Sequence, residues 1–146
     1  MVDEITLREM RPEDYDAVIA LWEAAGLPYK PRGRDSRSAI EQQLKLPTAI
    51  YLVAELDGQI VGSVLGTHDG RKGWINRVAV HPDHRRKGIA RRLVEAVERR
   101  CLELGIEIFA ALIEDWNETS MKVFARLGYV KHDDIFYYSK RLKPDV

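Results

Sequence analysis

Chemistry-bearing residue types gather in one stretch, Val78-Ala79-Val80-His81-Pro82-Asp83-His84-Arg85-Arg86-Lys87-Gly88-Ile89-Ala90. An apolar strand-like run ends at Val80, and Pro82 blocks its continuation because proline cannot donate to a sheet ladder. An amphipathic helical pattern then starts at Ile89. Free backbone N–H groups and the positive dipole end of such a helix converge on one point, a ready site for an anion such as a phosphate. Gly88 permits close approach and an unusual backbone angle, Ala90 keeps the first turn slim, and Arg85, Arg86 and Lys87 add positive charge. Spacing alone leaves a second reading open: a solvated basic loop that a glycine happens to end.

The elements that would position this stretch follow from periodicity. Residues 5–8 alternate as a short strand, and Pro12 with Glu13 and Asp14 opens a helix whose stripe is Val18, Leu21, Trp22 and Ala25, stopped by Gly26. Residues 27–35 read as a loop, and Ser38 with Glu41 reads as the capping box of a short helix halted at Pro47. The runs 50–56 and 59–68 flank Asp57-Gly58, a hairpin signal, and 74–80 is a further strand. Residues 89–104 form a long helix with Ile89, Leu93, Val97 and Cys101 on one stripe, capped by Gly105. The run 106–113 reads as a central strand, 117–127 as the last helix, and 129–130 with 135–142 as two closing strands. The expected class is α/β (α+β, one mixed sheet with helices on its faces), in the order β-α-α-β-β-β-α-β-α-β-β.

Composition narrows the partners. The 146 residues suit one domain, 1–146, with 45% hydrophobic and 32% charged residues. Lys plus Arg and Asp plus Glu number 23 each, so net charge gives no reason to expect nucleic acid or an anionic membrane. Met1 to Glu4 lacks a basic leader, and no apolar run approaches the ~18 residues of a bilayer span, which points to the cytoplasm. Cys101 is the only cysteine and falls on an apolar stripe, so it reads as buried. His68, His81, His84 and His132 are too scattered for a metal site, and none is expected.

Three segments in sequence carry a family resemblance. Arg85-Arg86-Lys87-Gly88-Ile89-Ala90 resembles the R/Q-x-x-G-x-G/A pyrophosphate loop of the GCN5-related N-acetyltransferases (GNAT), and Val78-Ala79-Val80-His81-Pro82-Asp83-His84 is similar to the lead-in before that loop. Asn117-Glu118-Thr119-Ser120, Phe124 and Leu127-Gly128-Tyr129 resemble the family's last-helix segment. The resemblance runs from about residue 5 to 142 and implies the single-domain acyl-CoA N-acyltransferase fold. It implies acetyl-CoA as co-substrate, its pyrophosphate cradled by the amides of Arg86, Lys87, Gly88, Ile89 and Ala90 beside Arg85. The backbone of Val78, Ala79 and Val80 would pair with the pantetheine arm as an added strand. The strand ending at Val80 would splay from the one ending near Ile113, and Asn117 would contact the pantetheine while also reading as a helix cap. The implied function is acetyl transfer by direct attack of a primary amine, borne by a small molecule, an amino acid or a peptide.

The pattern departs from the family at two places. Its tyrosine acid in the last helix is replaced by Phe124, which has no proton to give and reads as packing against cofactor or core; Tyr137 and Tyr138 are the nearby phenols, one expected inward and one outward. The base glutamate of the ribosomal-protein branch corresponds to Leu112, but Glu114 would share its side of a strand and is the candidate base or substrate anchor. A base matters most for a lysine-type amine, neutral in only about one molecule in 2,000 at pH 7, and less for an α-amine, neutral in roughly 10–15%. Lys30, Arg32 and Arg34 in the loop 27–35 would favour a carboxylate on the acceptor, though a solvated loop is the simpler reading. An acyl-CoA sensor with little turnover is the alternative, supported only by Phe124. A nucleic-acid patch over residues 85–92 conflicts with the neutral charge and with Glu95, Glu98 and Glu103. Assembly into a homodimer is left open.

Overall fold

The computed structural model describes residues 4–146; the first three residues of the expected domain, and of the Met1-to-Glu4 start, lie outside the described residues. Strand β1 (Thr6–Glu9) leads through a 3-10 turn (Pro12–Asp14) into α1 (Tyr15–Ala25), followed by α2 (Arg37–Leu44). Strands β2 (Ala49–Leu56), β3 (Gln59–His68) and β4 (Gly73–Val80) form a meander, then come α3 (Ile89–Glu103), β5 (Phe109–Ala110) and α4 (Glu118–Arg126). The sheet runs β1-β2-β3-β4-β5, antiparallel except for the parallel β4–β5 pair. This is the expected mixed-sheet class. The hairpin signal also holds, with Asp57 at φ 51° and Gly58 at φ 78°, the positive angles a two-residue hairpin turn requires.

Two cores flank the sheet. On one face Val18, Leu21 and Trp22 of α1 and Ile40 of α2 pack with Tyr51, Val53 and Leu65. On the other, the stripe Ile89, Leu93, Val97 and Cys101 of α3 packs with Phe124 on Leu52, Val64 and Ile75. That stripe lies over strand glycines. A Cβ on Gly62 would sit 2.7 Å from Ile89 Cγ2, one on Gly66 2.7 Å from Val97 Cγ1, and one on Gly73 2.7 Å from Cys101 Sγ. The helix can settle onto β3 and β4 only because side chains are missing there.

Three expectations need correction. The short helix starts one residue before Ser38, so Ser36 is the cap and accepts from Ala39 N at 3.2 Å; no Ser38–Glu41 box forms. Of the strand expected over 106–113 only Phe109–Ala110 pairs. The closing strands at 129–130 and 135–142 are absent: a strand needs a ladder partner, and no neighbouring strand accompanies either run.

At the entry to α1, Asp14 accepts from Arg8 Nη1 at 2.7 Å, Arg8 Nη2 at 2.9 Å and Arg11 N at 2.8 Å. The Arg8 guanidinium holds the Asp14 carboxyl below its ordinary pKa.

Two predictions follow from this packing. Gly66→Ala forces a methyl against Val97 and the Ile50 carbonyl oxygen, 3.0 Å away, and should cost roughly 1–3 kcal/mol in urea denaturation; a neutral midpoint would contradict the close approach. Because the pKa of Asp14 is lowered on folding, its stabilisation is complete above the unfolded value near ~3.9 and is lost as pH falls through the folded value. Asp14→Asn should therefore lower stability at pH 7 by about 1–3 kcal/mol, and the gap to wild type should shrink below about pH 4. A constant gap from pH 7 to pH 2, read from urea midpoints, would contradict it.

Candidate active site

The stretch between β4 and α3 has two left-handed residues, Arg86 at φ 66° and Gly88 at φ 73°, with Gly88 immediately before the first helical residue. These turns expose the chain's own donors. Arg92 N reaches the Gly88 carbonyl at 3.0 Å and His84 N that of His81 at 2.9 Å, but no amide from residue 85 to 91 donates to a backbone carbonyl. Such a run of free N–H groups at a helix start is a concave anion nest. Arg85, Arg86 and Lys87 are exposed, and among the described residues none has a carboxylate within ion-pair distance. Lys87 Nζ lies 3.2 Å from His84 Nδ1.

The nest stands at the head of a cleft of about 880 Å³, whose walls include Val78, Ala79, Val80, Arg85, Arg86, Gly88, Ile89, Ala90, Asn117 and Phe124. Of the residues singled out in the sequence for the co-substrate, only Lys87 stands outside this wall. The cleft exists because β4 and β5 separate: they pair at Gly73 with Phe109 and Trp74 with Ala110 and nowhere further. Beyond Trp74 the outer edge of β4 has no neighbouring strand, so alternate N–H and C=O groups of 76–80 face the opening. Across it, α4 begins at Glu118 with Asn117 as cap, the Asn117 side chain accepting from Ser120 N at 3.2 Å.

A second cleft of about 700 Å³ opens on the other side of the sheet edge, between the loop 27–35 and residues 111–114. The two clefts share Leu27, Val78, Trp116, Asn117, Ser120 and Phe124. Glu114 lines the second cleft and is exposed, as are Leu112 and Tyr137. Lys30 and Arg34 line it, while Arg32 does not. Phe124 is buried in the core, its ring edge-on to Tyr129 at 4.9 Å. Burial and the hydrogen bond that its hydroxyl donates to Glu98 Oε2 at 2.6 Å push the Tyr129 phenol strongly upward. Tyr137 and Tyr138 are 68% and 90% exposed; the inward-outward alternation expected of them fails because they belong to no strand.

A polar bracket that the sequence reading missed underlies this junction. Strand β4 carries one extra residue opposite Val64, since Ser63 faces Ala79 and Leu65 faces Asn76, and Arg77 in the bulge has φ 55°. Trp22 Nε1 donates to Ser63 Oγ at 3.0 Å, and Ser63 Oγ donates to the Arg77 carbonyl at 3.1 Å. The Arg77 guanidinium lies 4.6 Å from the Trp22 ring centroid and bonds Asp35 Oδ2 at 2.9 Å. Asp35, 4% exposed, also accepts from Lys30 N at 2.8 Å, so the bracket ties the loop 27–35 to the bulged strand. The one local signal was the polar pair Asn76-Arg77 interrupting an apolar strand.

With the geometry described, the comparisons with known proteins decide the lineage. The sequence model of the acetyltransferase (GNAT) family matches residues 13–129. The chain belongs to the GNAT family. Membership makes it an acyltransferase. Solved GNAT structures share the fold over nearly their whole length. An aminoglycoside N-acetyltransferase, AAC(6')-Iy, in complex with CoA is 21% identical, with 97% of each chain covered and a TM-score of 0.78. The PaiA N-acetyltransferase of Thermoplasma acidophilum in complex with coenzyme A is 17% identical, covering 90% of this chain and 93% of that one, with a TM-score of 0.80. A ribosomal-protein-alanine N-acetyltransferase of Brucella melitensis biovar Abortus 2308 is 22% identical, covering 97% and 100%, with a TM-score of 0.68. Among the described residues no helix is long and apolar enough to cross a membrane.

The Arg77–Asp35 pair yields a prediction. Asp35→Ala leaves Arg77, whose side chain is 18% exposed, without its carboxylate, and should destabilise by about 3 kcal/mol in chemical denaturation. A loss below about 0.5 kcal/mol, the range of an exposed pair, would contradict a structural bracket.

Proposed function

We propose that this GNAT chain, as one domain over 1–146, binds acetyl-CoA as co-substrate in the larger cleft and acetylates a primary amine held in the second. The observation that carries the reading is the run of free amides over 85–91 at the head of a cleft that meets another at Val78, Asn117 and Phe124. The nest suits a pyrophosphate: its donors are fixed before binding, and Arg85, Arg86 and Lys87 surround it with charge. The open edge of Val78, Ala79 and Val80 suits an arm that pairs like a strand. When bound, acetyl-CoA supplies the activated acetyl carbonyl. An N–H of the bulged β4 edge near Val80 would stabilise charge building on that carbonyl oxygen. Two clefts that meet favour direct attack, because both reactants can be held at once.

Glu114 is the proposed proton acceptor for the incoming amine, directly or through a water, from its place on the second cleft. Lys30 and Arg34 of that cleft have no carboxylate within ion-pair distance among the described residues, while Arg77 is already paired with Asp35. Their charge favours an acceptor carrying a carboxylate, such as an amino acid or a peptide, over a polycationic amine. The reading retains a cytoplasmic location. The alternative, an acyl-CoA sensor with weak turnover, draws on the buried Phe124 where the family's acid stands.

Two experiments test the proposal. Gly88→Val places a β-branched side chain at φ 73° beside the nest and should weaken CoA binding at least tenfold in calorimetry while the circular dichroism spectrum stays native. Unchanged affinity would overturn the loop assignment. Glu114→Gln should lower turnover about 10–100-fold at pH 6–7, with the deficit narrowing as the amine deprotonates at higher pH. A pH–rate profile parallel to wild type would remove Glu114 from the chemistry. Tight CoA binding with no thiol release across a panel of amines and peptides would favour the sensor.

A further inference from the structure

Of the three tryptophans, two are fully engaged. Trp22 is buried, its Nε1 donates to Ser63 Oγ, and the Arg77 guanidinium lies over its ring. Trp74 is half-buried, donates to Asp69 Oδ2 at 3.3 Å and has Lys72 Nζ 5.8 Å from its ring centroid. Trp116 differs on every count. It is 54% exposed, and among the described residues its Nε1 has no hydrogen-bond partner and its ring no aromatic or cationic neighbour. An indole open at both edge and face offers a large apolar surface and a donor with nothing to accept it.

Its position gives that surface a use. Six residues line both clefts, and Trp116 is the only exposed one among them. In the run before it, Ala111 and Ile113 pack against the α3 core, while Leu112, Glu114 and Trp116 are exposed and line the second cleft. The alternation builds a ledge that is aliphatic, acidic and aromatic in turn. Lys30 and Arg34, in the loop that lines the same cleft, supply the opposite charge.

These parts suit one kind of molecule. An amine in the second cleft must reach the acetyl group where the clefts meet, so the part of the acceptor against Trp116 is the part next to its amine. Glu114 suits that amine, and Lys30 and Arg34 suit a carboxylate. What Leu112 and Trp116 lack is an apolar substituent to cover them. A polycation would bring like charge to Lys30 and Arg34, and a small acceptor would leave the indole in water.

We propose, resting on the reading of the second cleft as the acceptor site, that Trp116 is a specificity-determining residue. It selects the α-amine of an amino acid, free or at the start of a carboxylate-bearing peptide, whose own side chain is large and apolar. The indole packs on that side chain, Leu112 extends the contact, and Lys30 and Arg34 hold the carboxylate. One methylene in an enclosed pocket discriminates by about 10–200-fold, so on a half-exposed indole the whole step from alanine to phenylalanine should give roughly 10–100-fold.

The test measures binding and turnover separately, on the full chain. Calorimetry titrates phenylalanine, leucine and alanine, and tripeptides beginning with each, into protein saturated with CoA, which has no acetyl group to transfer. Thiol release from acetyl-CoA gives kcat/KM for the same acceptors. Phenylalanine and leucine, free or leading a peptide, should bind and react at least about tenfold better than alanine. Trp116→Ala should bring that ratio below about threefold, and Trp116→Phe should restore most of it, because one aromatic face replaces another. The ratio is read within a single variant, so a general loss of stability or of CoA affinity cancels from it. Equal binding of the acceptors, no binding of any of them, or a preference that survives Trp116→Ala would overturn the proposal. A preference in binding without turnover would sustain it and sink the acetyl-transfer reading instead; turnover without preference would do the reverse.

Discussion

The seating of α3 on the sheet is the constraint from which the rest descends. Ile89, Leu93, Val97 and Cys101 descend onto Gly62, Gly66 and Gly73, where any side chain would collide. Close packing fixes both the height of the helix above the strands and its rotation. Since Ile89 is both the first residue of the helix and part of that contact, the free amides before it are held in place by core packing rather than by the loop itself. An anion nest needs that rigidity, because donors that must be ordered on binding give back part of the affinity.

The second element of the account is an opening in the sheet. Strands β4 and β5 pair for two residues and then separate, and a bulge at Arg77 shifts the β3–β4 register before the part of β4 that borders the gap. A non-glycine residue at φ 55° is costly, and the Trp22–Ser63–Arg77–Asp35 bracket offsets that cost with hydrogen bonds inside a buried setting. The same bracket connects the loop of the second cleft to the strand of the first. Geometry on the two sides of the junction is therefore coupled through a few side chains.

Much of this was legible in the residues themselves. The α3 stripe follows from four apolar positions at a spacing of four, the hairpin from Asp57-Gly58, and the nest from a strand, a basic loop and Gly88 in immediate succession. These are local signals. The bracket was not legible because Trp22 and Ser63 stand 41 residues apart and Arg77 and Asp35 42 apart, so only the folded chain joins them. Ser38 reads as a cap because Glu41 completes a capping-box spacing, whereas the hydroxyl that bonds is that of Ser36, followed three residues later by Ala39. The closing strands fail to form for a different reason. Alternation reports what a segment is suited to become, but a strand also requires a partner edge, and residues 135–142 have none within their own fold.

The most direct test of the central claim is a titration of isotopically labelled protein with CoA, followed by backbone amide resonances. The account predicts that the amides of residues 86–90 shift furthest and saturate together, as expected of donors that gain a phosphate acceptor. Unmoved resonances over 86–90, whether CoA binds elsewhere or not at all, would contradict it.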